Sequence, residues 1–222
     1  MENTDAVEAA EIVRRTMIEL THTIPEKGRS GSDARRAIGD LRVNALVLLR
    51  NDEAGQPMAD CFDKARLAGT TLPEFVSVRD FTRTEAPKTL GGTLTRNVLI
   101  GLSLATEGRV IADMVFASRQ DVEVLRNSIN SAFASAEDYV ADAMDSLSYR
   151  RLIELHASLM FYLTETARPL PRMLRFLFAA PLPTLHAAYK LYDNASRCDE
   201  LRAENKVVHP AFMRRTGRAL SS

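Results

Sequence analysis

Along most of the chain, apolar residues recur every three or four positions, the pattern of helices that bury one face. The first stripe is Ala6, Ala9, Ala10, Val13, Met17 and Leu20, ended by Pro25 and the run Gly28-Arg29-Ser30-Gly31. A second helix, capped by Ser32 or Asp33, carries Ala34, Ala37, Ile38, Leu41, Ala45, Leu48 and Leu49. Pro57 suits the first turn of a short third helix bearing Met58, Cys61, Phe62 and Ala65. A fourth, over residues 93–115, is apolar nearly all round, which predicts a central position. Ser118 and Asp121 have the spacing of a capping box. The fifth helix behind them has the cleanest period: Val122, Leu125, Ile129, Ala132, Phe133, Ala136 and Val140. A sixth, over residues 148–167, turns Leu152, Leu155, Leu159 and Leu163 inward.

Two stretches break this rhythm. Residues 69–92 are β-branched and aromatic with prolines at 73 and 87, and read as a loop or short extended segment. After Arg168-Pro169-Leu170-Pro171 comes an apolar strip, residues 172–178, bounded by Pro181 and Pro183. Two short helices follow, over residues 183–192 and 195–206, separated by Asp193-Asn194, and the end from His209 reads as an extended tail. The pattern predicts a mainly α fold, a helical bundle with a small C-terminal helical subdomain and extended arms. It divides the chain into an N-terminal helical region (1–68), a linker (69–92), a central long-helix region (93–168) and a C-terminal docking region (169–222). No repeat at a fixed period and no low-complexity tract interrupts it.

Charge and chemistry narrow the function. Basic and acidic residues number 29 each, so the net charge is zero and nucleic acid is not an expected partner. The most apolar stretch, residues 94–115, contains Arg96, Glu107, Arg109 and Asp113, too many charges for the roughly 20 apolar residues of a membrane span. The acidic start lacks a signal-peptide layout, so the expected compartment is a cytoplasm. Cys61 and Cys198 sit in apolar helical patterns and read as two buried thiols. Phosphate-binding glycine loops and nucleophile elbows are absent. Gly91-Gly92 opens a helix and could present amides to a phosphate, or serve as a flexible joint. His22, His156, His186 and His209 lack metal-ligand spacing, and His156 reads as a partly buried, hydrogen-bonded residue. No catalytic, cofactor-binding or metal-ligating residue is therefore expected, and the chain does not read as an enzyme.

The last third carries a recognisable pattern. Leu182-Pro183-Thr184-Leu185-His186-Ala187-Ala188-Tyr189-Lys190-Leu191-Tyr192-Asp193-Asn194-Ala195 leads to Arg197, Glu200 and Leu201, then to Glu204-Asn205-Lys206-Val207-Val208-His209-Pro210-Ala211-Phe212. This resembles the C-terminal part of the DNA circularisation protein, or N protein, family of Mu-like phages, with Glu204 where arginine is usual. Upstream, Phe116-Ala117-Ser118-Arg119-Gln120-Asp121 is similar to the family's Tyr/Phe-Ala-Ser-Arg-Asp-Asp, and the resemblance spans roughly residues 55–213. It implies the C-terminal half of such a protein standing alone, without the N-terminal domain. Its expected place is the baseplate or tube–baseplate junction of a contractile tail, assembled in the host cytoplasm into a virion. The implied partners are other tail and baseplate proteins, in a ring or in multiple copies.

Partner contacts are expected on the strip and the tail: Arg172, Met173, Leu174, Arg175, Phe176 and Phe178, with Asn205, His209, Pro210 and Phe212. Arg172 and Arg175 flank apolar side chains and could meet a partner's carboxylates. For the strip, an internal strand is the alternative to a docking arm. Residues 195–205 followed by Pro210 are also similar to the second half of a LysM module, which makes a LysM-like helix pair and peptidoglycan binding one rival reading. A cytoplasmic helical adaptor unrelated to phage is another.

Overall fold

A computed structural model describes residues 3–25, 28–143 and 146–221. Among these the chain is mainly α: α1 (Asn3–His22), α2 (Arg29–Arg50), α3 (Gly55–Leu67), α4 (Leu72–Thr84), α5 (Leu90–Ala112), α6 (Arg119–Asp142) and α7 (Ser146–Ala167). Then follow β1 (Met173–Leu177), α8 (Thr184–Tyr192), a single 3-10 turn (Ala195–Arg197), α9 (Cys198–Glu204) and β2 (Thr216–Leu220). The chain forms two compact units: Met1–Met114 with Ile129–Leu159, and Val115–Ser128 with Met160–Ser222. Both α6 and α7 thus contribute residues to each unit.

In the first unit the predicted stripes are buried. Ala6, Ala9, Ala10, Val13, Met17 and Leu20 of α1 are all fully inside, and the last four share one core with Ile38 and Leu41 of α2, Phe62 of α3 and Leu99 of α5. Burying residues of this size contributes roughly 1.5–3 kcal/mol each for the larger aliphatic and aromatic ones. Helix α2 starts at Arg29, earlier than a Ser32 or Asp33 cap would place it; the Ser32 hydroxyl instead donates to Gly28 O within the first turn (3.2 Å).

Residues 72–84 are a helix, not the extended segment that their β-branched and aromatic composition suggests. Thr71 is extended, and both its amide and its hydroxyl donate to Glu74 Oε2 (2.6 and 2.7 Å), while Pro73 occupies the first turn. A capped start and a proline whose missing N–H costs nothing there outweigh β propensity. The face Phe75, Val78, Arg79 and Thr82 is buried, with the Phe75 ring 6.5 Å from that of Phe62.

Helix α5 is held at its start by α1. The Glu8 carboxylate accepts from the Thr89 hydroxyl (2.6 Å) and from the Lys88 and Thr89 amides (2.8 Å each), and Asp5 accepts from the Gly91 amide (3.3 Å). These bonds, the Thr89 hydroxyl's first and the Lys88 amide's next, hold the Glu8 carboxyl below its usual range. A β-carbon at residue 92 would lie 2.6 Å from Glu8 Oε2 and 3.0 Å from Pro87, so only glycine lets the two helices approach this closely. Of the amides that the sequence offered to a phosphate, that of Gly91 is met by Asp5 and that of Gly92 by the Thr89 hydroxyl (3.0 Å).

Nearer the other end of α5, Glu107 has no exposed side-chain surface and accepts from Arg79 Nη1 at 2.6 Å, while its second oxygen has no partner. Burial pushes its carboxyl up to about 7, with Arg79 opposing. On the α6 and α7 residues of this unit, His156 stacks on Phe133 (4.7 Å) and bridges Glu137 (2.8 Å) and Asn130 (3.1 Å). The Asn97 amide donates to Tyr139 O at 3.1 Å.

A folded-state value above the ordinary 4.5 means that the native carboxyl holds its proton more tightly, so Glu107 makes stability fall as pH rises from about 4.5 to about 7. Above that window Arg79 is its counter-charge. Arg79→Ala is expected to cost about 3–5 kcal/mol at pH 8.5 and clearly less at pH 5.5, where the carboxyl is protonated. Urea unfolding at the two pH values measures this; equal losses would show that Arg79 supplies packing rather than charge.

Candidate functional site

The second unit contains every residue that the sequence singled out for partner contact. It begins with the expected capping box: the Ser118 amide and hydroxyl donate to Asp121 Oδ2 (3.1 and 2.8 Å), and the Asp121 amide returns a bond to the Ser118 hydroxyl (3.3 Å). This first turn of α6 grips the chain before β1. The Arg119 amide donates to Pro171 O (3.0 Å), and the Met173 amide donates to Gln120 Oε1 (2.7 Å).

The strip and the tail are both extended, and they pair with each other. Strands β1 and β2 run antiparallel, with Met173 opposite Leu220, Arg175 opposite Arg218 and Leu177 opposite Thr216. Between them in sequence lie α8 and α9, giving two helices flanked by two antiparallel strands. A small core of Ala187, Ala188, Leu201, Met213 and Ala219, with Phe176, Phe178 and Leu182 against it, holds the elements together. Asp193, in the left-handed conformation (φ 53°), ends α8, and Asn194 accepts the Ser196 amide (2.9 Å) to start the next turn. Arg197 lies over the Tyr192 ring (3.9 Å) and pairs with Glu200 (2.7 Å), which raises the pKa of the guanidinium.

Strand β2 is fastened along its far side by one side chain. Asn205 Nδ2 donates to Arg218 O (2.7 Å) and to Leu201 O (2.8 Å), and Asn205 Oδ1 accepts the Arg218 amide (2.7 Å). The carboxamide thereby stands in for a neighbouring strand. A β-carbon at residue 217 would run into Asn205 Oδ1 and come within 2.5 Å of Phe176 Cζ, so glycine is required there.

The predicted contact residues divide accordingly. Arg172, Leu174 and Arg175 are exposed on or beside β1, whereas Met173, Phe176 and Phe178 are half-buried, the two rings 4.9 Å apart. His209, Pro210 and Phe212 are exposed on the turn after α9, with Phe212 75 % exposed and its ring 5.2 Å from that of His209. Pro210 O accepts from the Thr184 amide (2.7 Å) and the Met213 amide donates to Leu182 O (3.0 Å), so this turn is pinned to the start of α8. Asn205 is an internal fastener.

Sequence reading missed two features that were in plain view. Residues 169–222 hold nine lysines and arginines against four acids, so the zero net charge conceals a basic C-terminal region and an equally acidic remainder. Arg218 was not singled out, yet it faces Arg175 across the ribbon and its nearest acid, Glu204, lies at 3.7 Å. Of the cysteines, Cys61 is buried, with its thiol pushed up to about 12 by that burial, while Cys198 is only half-buried; both are free. Among the described residues no three His, Cys, Asp or Glu side chains form a metal-holding group, and no helix is long and apolar enough to cross a membrane. No family model matches the chain, and no curated protein matches it. Guanidinium groups and exposed apolar side chains surround this small fastened ribbon.

Replacing Asn205 with alanine removes three hydrogen bonds and is expected to destabilise the second unit by about 2 kcal/mol. Hydrogen exchange should speed up at the amides of Thr216–Leu220, with α1 to α5 unaffected; unchanged protection of β2 would refute the fastening role.

Proposed function

We propose that the chain is a structural component of a phage-type contractile tail, placed at the baseplate or the tube–baseplate junction and acting by protein–protein assembly. One observation carries the reading. The string that resembles the N protein family's falls on residues with defined structural tasks: Asn205 fastens β2, and Pro210 holds the start of α8. Residues with such tasks favour a structural module over a reaction centre. The exposed Phe212 and the exposed side chains of β1 give this module surfaces for neighbours in a ring or multi-copy assembly.

A second reading, a LysM-like peptidoglycan-binding module, gains from the arrangement of β1, α8, α9 and β2, because flanking strands are what such a module requires beside its helix pair. Retention on insoluble peptidoglycan, lost with free saccharide as competitor, would favour it.

Mass spectrometry of particles purified from the producing cell decides the primary reading. The chain is expected in the tail fraction at a fixed ratio to the other tail proteins. Its confinement to the particle-free cytosol as a monomer would overturn the proposal and leave a helical adaptor in its place.

A further inference from the structure

We propose that the free edge of β1, at Arg175 and Leu177, takes an extended acidic segment of a partner protein as a third strand. This deepens the assembly reading for the same strip, and rests on it only in taking the partner to be a protein.

The hydrogen-bond parity of the ribbon identifies the edge. The Phe178 amide donates to Arg215 O (2.8 Å) and the Ser221 amide to Arg172 O (2.7 Å), so the even-numbered residues of β1 are those bonded to β2. The odd-numbered residues turn their amides and carbonyls the other way. Gln120 already fills this position at the Met173 amide. Among the described residues the outward backbone groups of Arg175 and Leu177 have no such partner, and both residues are exposed. The opposite edge of the ribbon is blocked at its centre, because Asn205 occupies both outward groups of Arg218. The chain itself therefore blocks the middle of one edge and only the end of the other, which leaves the run from Arg175 to Leu177 for an added strand.

Side chains select the occupant. On one face of the ribbon Arg175 stands directly opposite Arg218; Glu204 pairs with Arg218 (3.7 Å), whereas among the described residues no carboxylate pairs with Arg175, whose guanidinium is left for an anion from a partner. A strand laid along β1 sets one of its side chains beside Arg175 on that face and its alternate side chains beside Leu174, 52 % exposed on the other. The matching sequence alternates acidic and apolar residues. A second copy of β1 does not match, since antiparallel pairing centred on Arg175 would place arginine against arginine. Addition of an extended segment to an exposed edge is a general mode of recognition, with the backbone supplying affinity and alternate side chains the selectivity.

Fluorescence anisotropy of the full-length chain with a labelled peptide of alternating glutamate and valine tests this at low salt. Saturable binding is expected, with the lysine-for-glutamate peptide much weaker. Full N-methylation of the peptide backbone should abolish binding. Leu177→Pro, which deletes an outward amide without breaking a bond to β2, should weaken it about tenfold. Arg175→Glu should shift preference to the lysine peptide. Equal binding of the N-methylated peptide, preference for a single-stranded DNA of the same charge, or no saturable binding would each overturn the proposal. Presence or absence of the chain in tail particles does not alter these outcomes, so the two readings fail separately.

Discussion

The first unit depends on the clamp between α1 and the start of α5. An exposed helix start leaves amide protons without partners and carries a partial positive charge. Here one carboxylate, Glu8, meets two amides and a hydroxyl while Asp5 reaches a third amide, and Gly92 leaves room for the approach. The contact fixes α5 along its axis against α1, which lets the small residues of α1 meet the apolar side chains of α5 in one register. Close to the other end of α5, the buried pair of Arg79 and Glu107 does the same for α4. Apolar burial supplies the bulk of the stabilisation, while these two charged contacts select one arrangement among the many that a smooth apolar helix would accept.

This division of labour explains what the sequence disclosed. Helices α1, α6 and α7 are legible because each carries a stripe at helical spacing, and α5 because it is apolar nearly all round; the Ser118–Asp121 box marked a start correctly. The segment 72–84 misled because Phe75, Val76, Val78 and Phe81 are residues that pleated strands favour. Its capping signal, Thr71 with Glu74 and a proline between them, was as readable as the Ser118 signal and follows the same rule. The Glu8 clamp and the Arg79–Glu107 pair could not be read at all, since their members lie many positions apart and no local pattern links them.

The second unit shows the same limit. The strip 172–178 stood out for its apolar character, but its strand partner lies some 40 positions later and includes a glycine and an arginine, which obscures any alternation. The string around His209 was noticed as a resemblance; its physical meaning, a turn pinned to α8, emerges only from the hydrogen bonds at Pro210. Charge segregation was different in kind: it required only a count over the right window, and a whole-chain net charge averaged it away.

The carboxamide of Asn205 has a consequence for how the ribbon can grow. A two-stranded sheet with both edges bare has a valence of two and can pass a chain of strands through itself, the geometry of open-ended stacking. With one edge plugged by a side chain, the valence falls to one. Such a ribbon terminates a series of strands instead of propagating it, and an assembly built on it has a defined end.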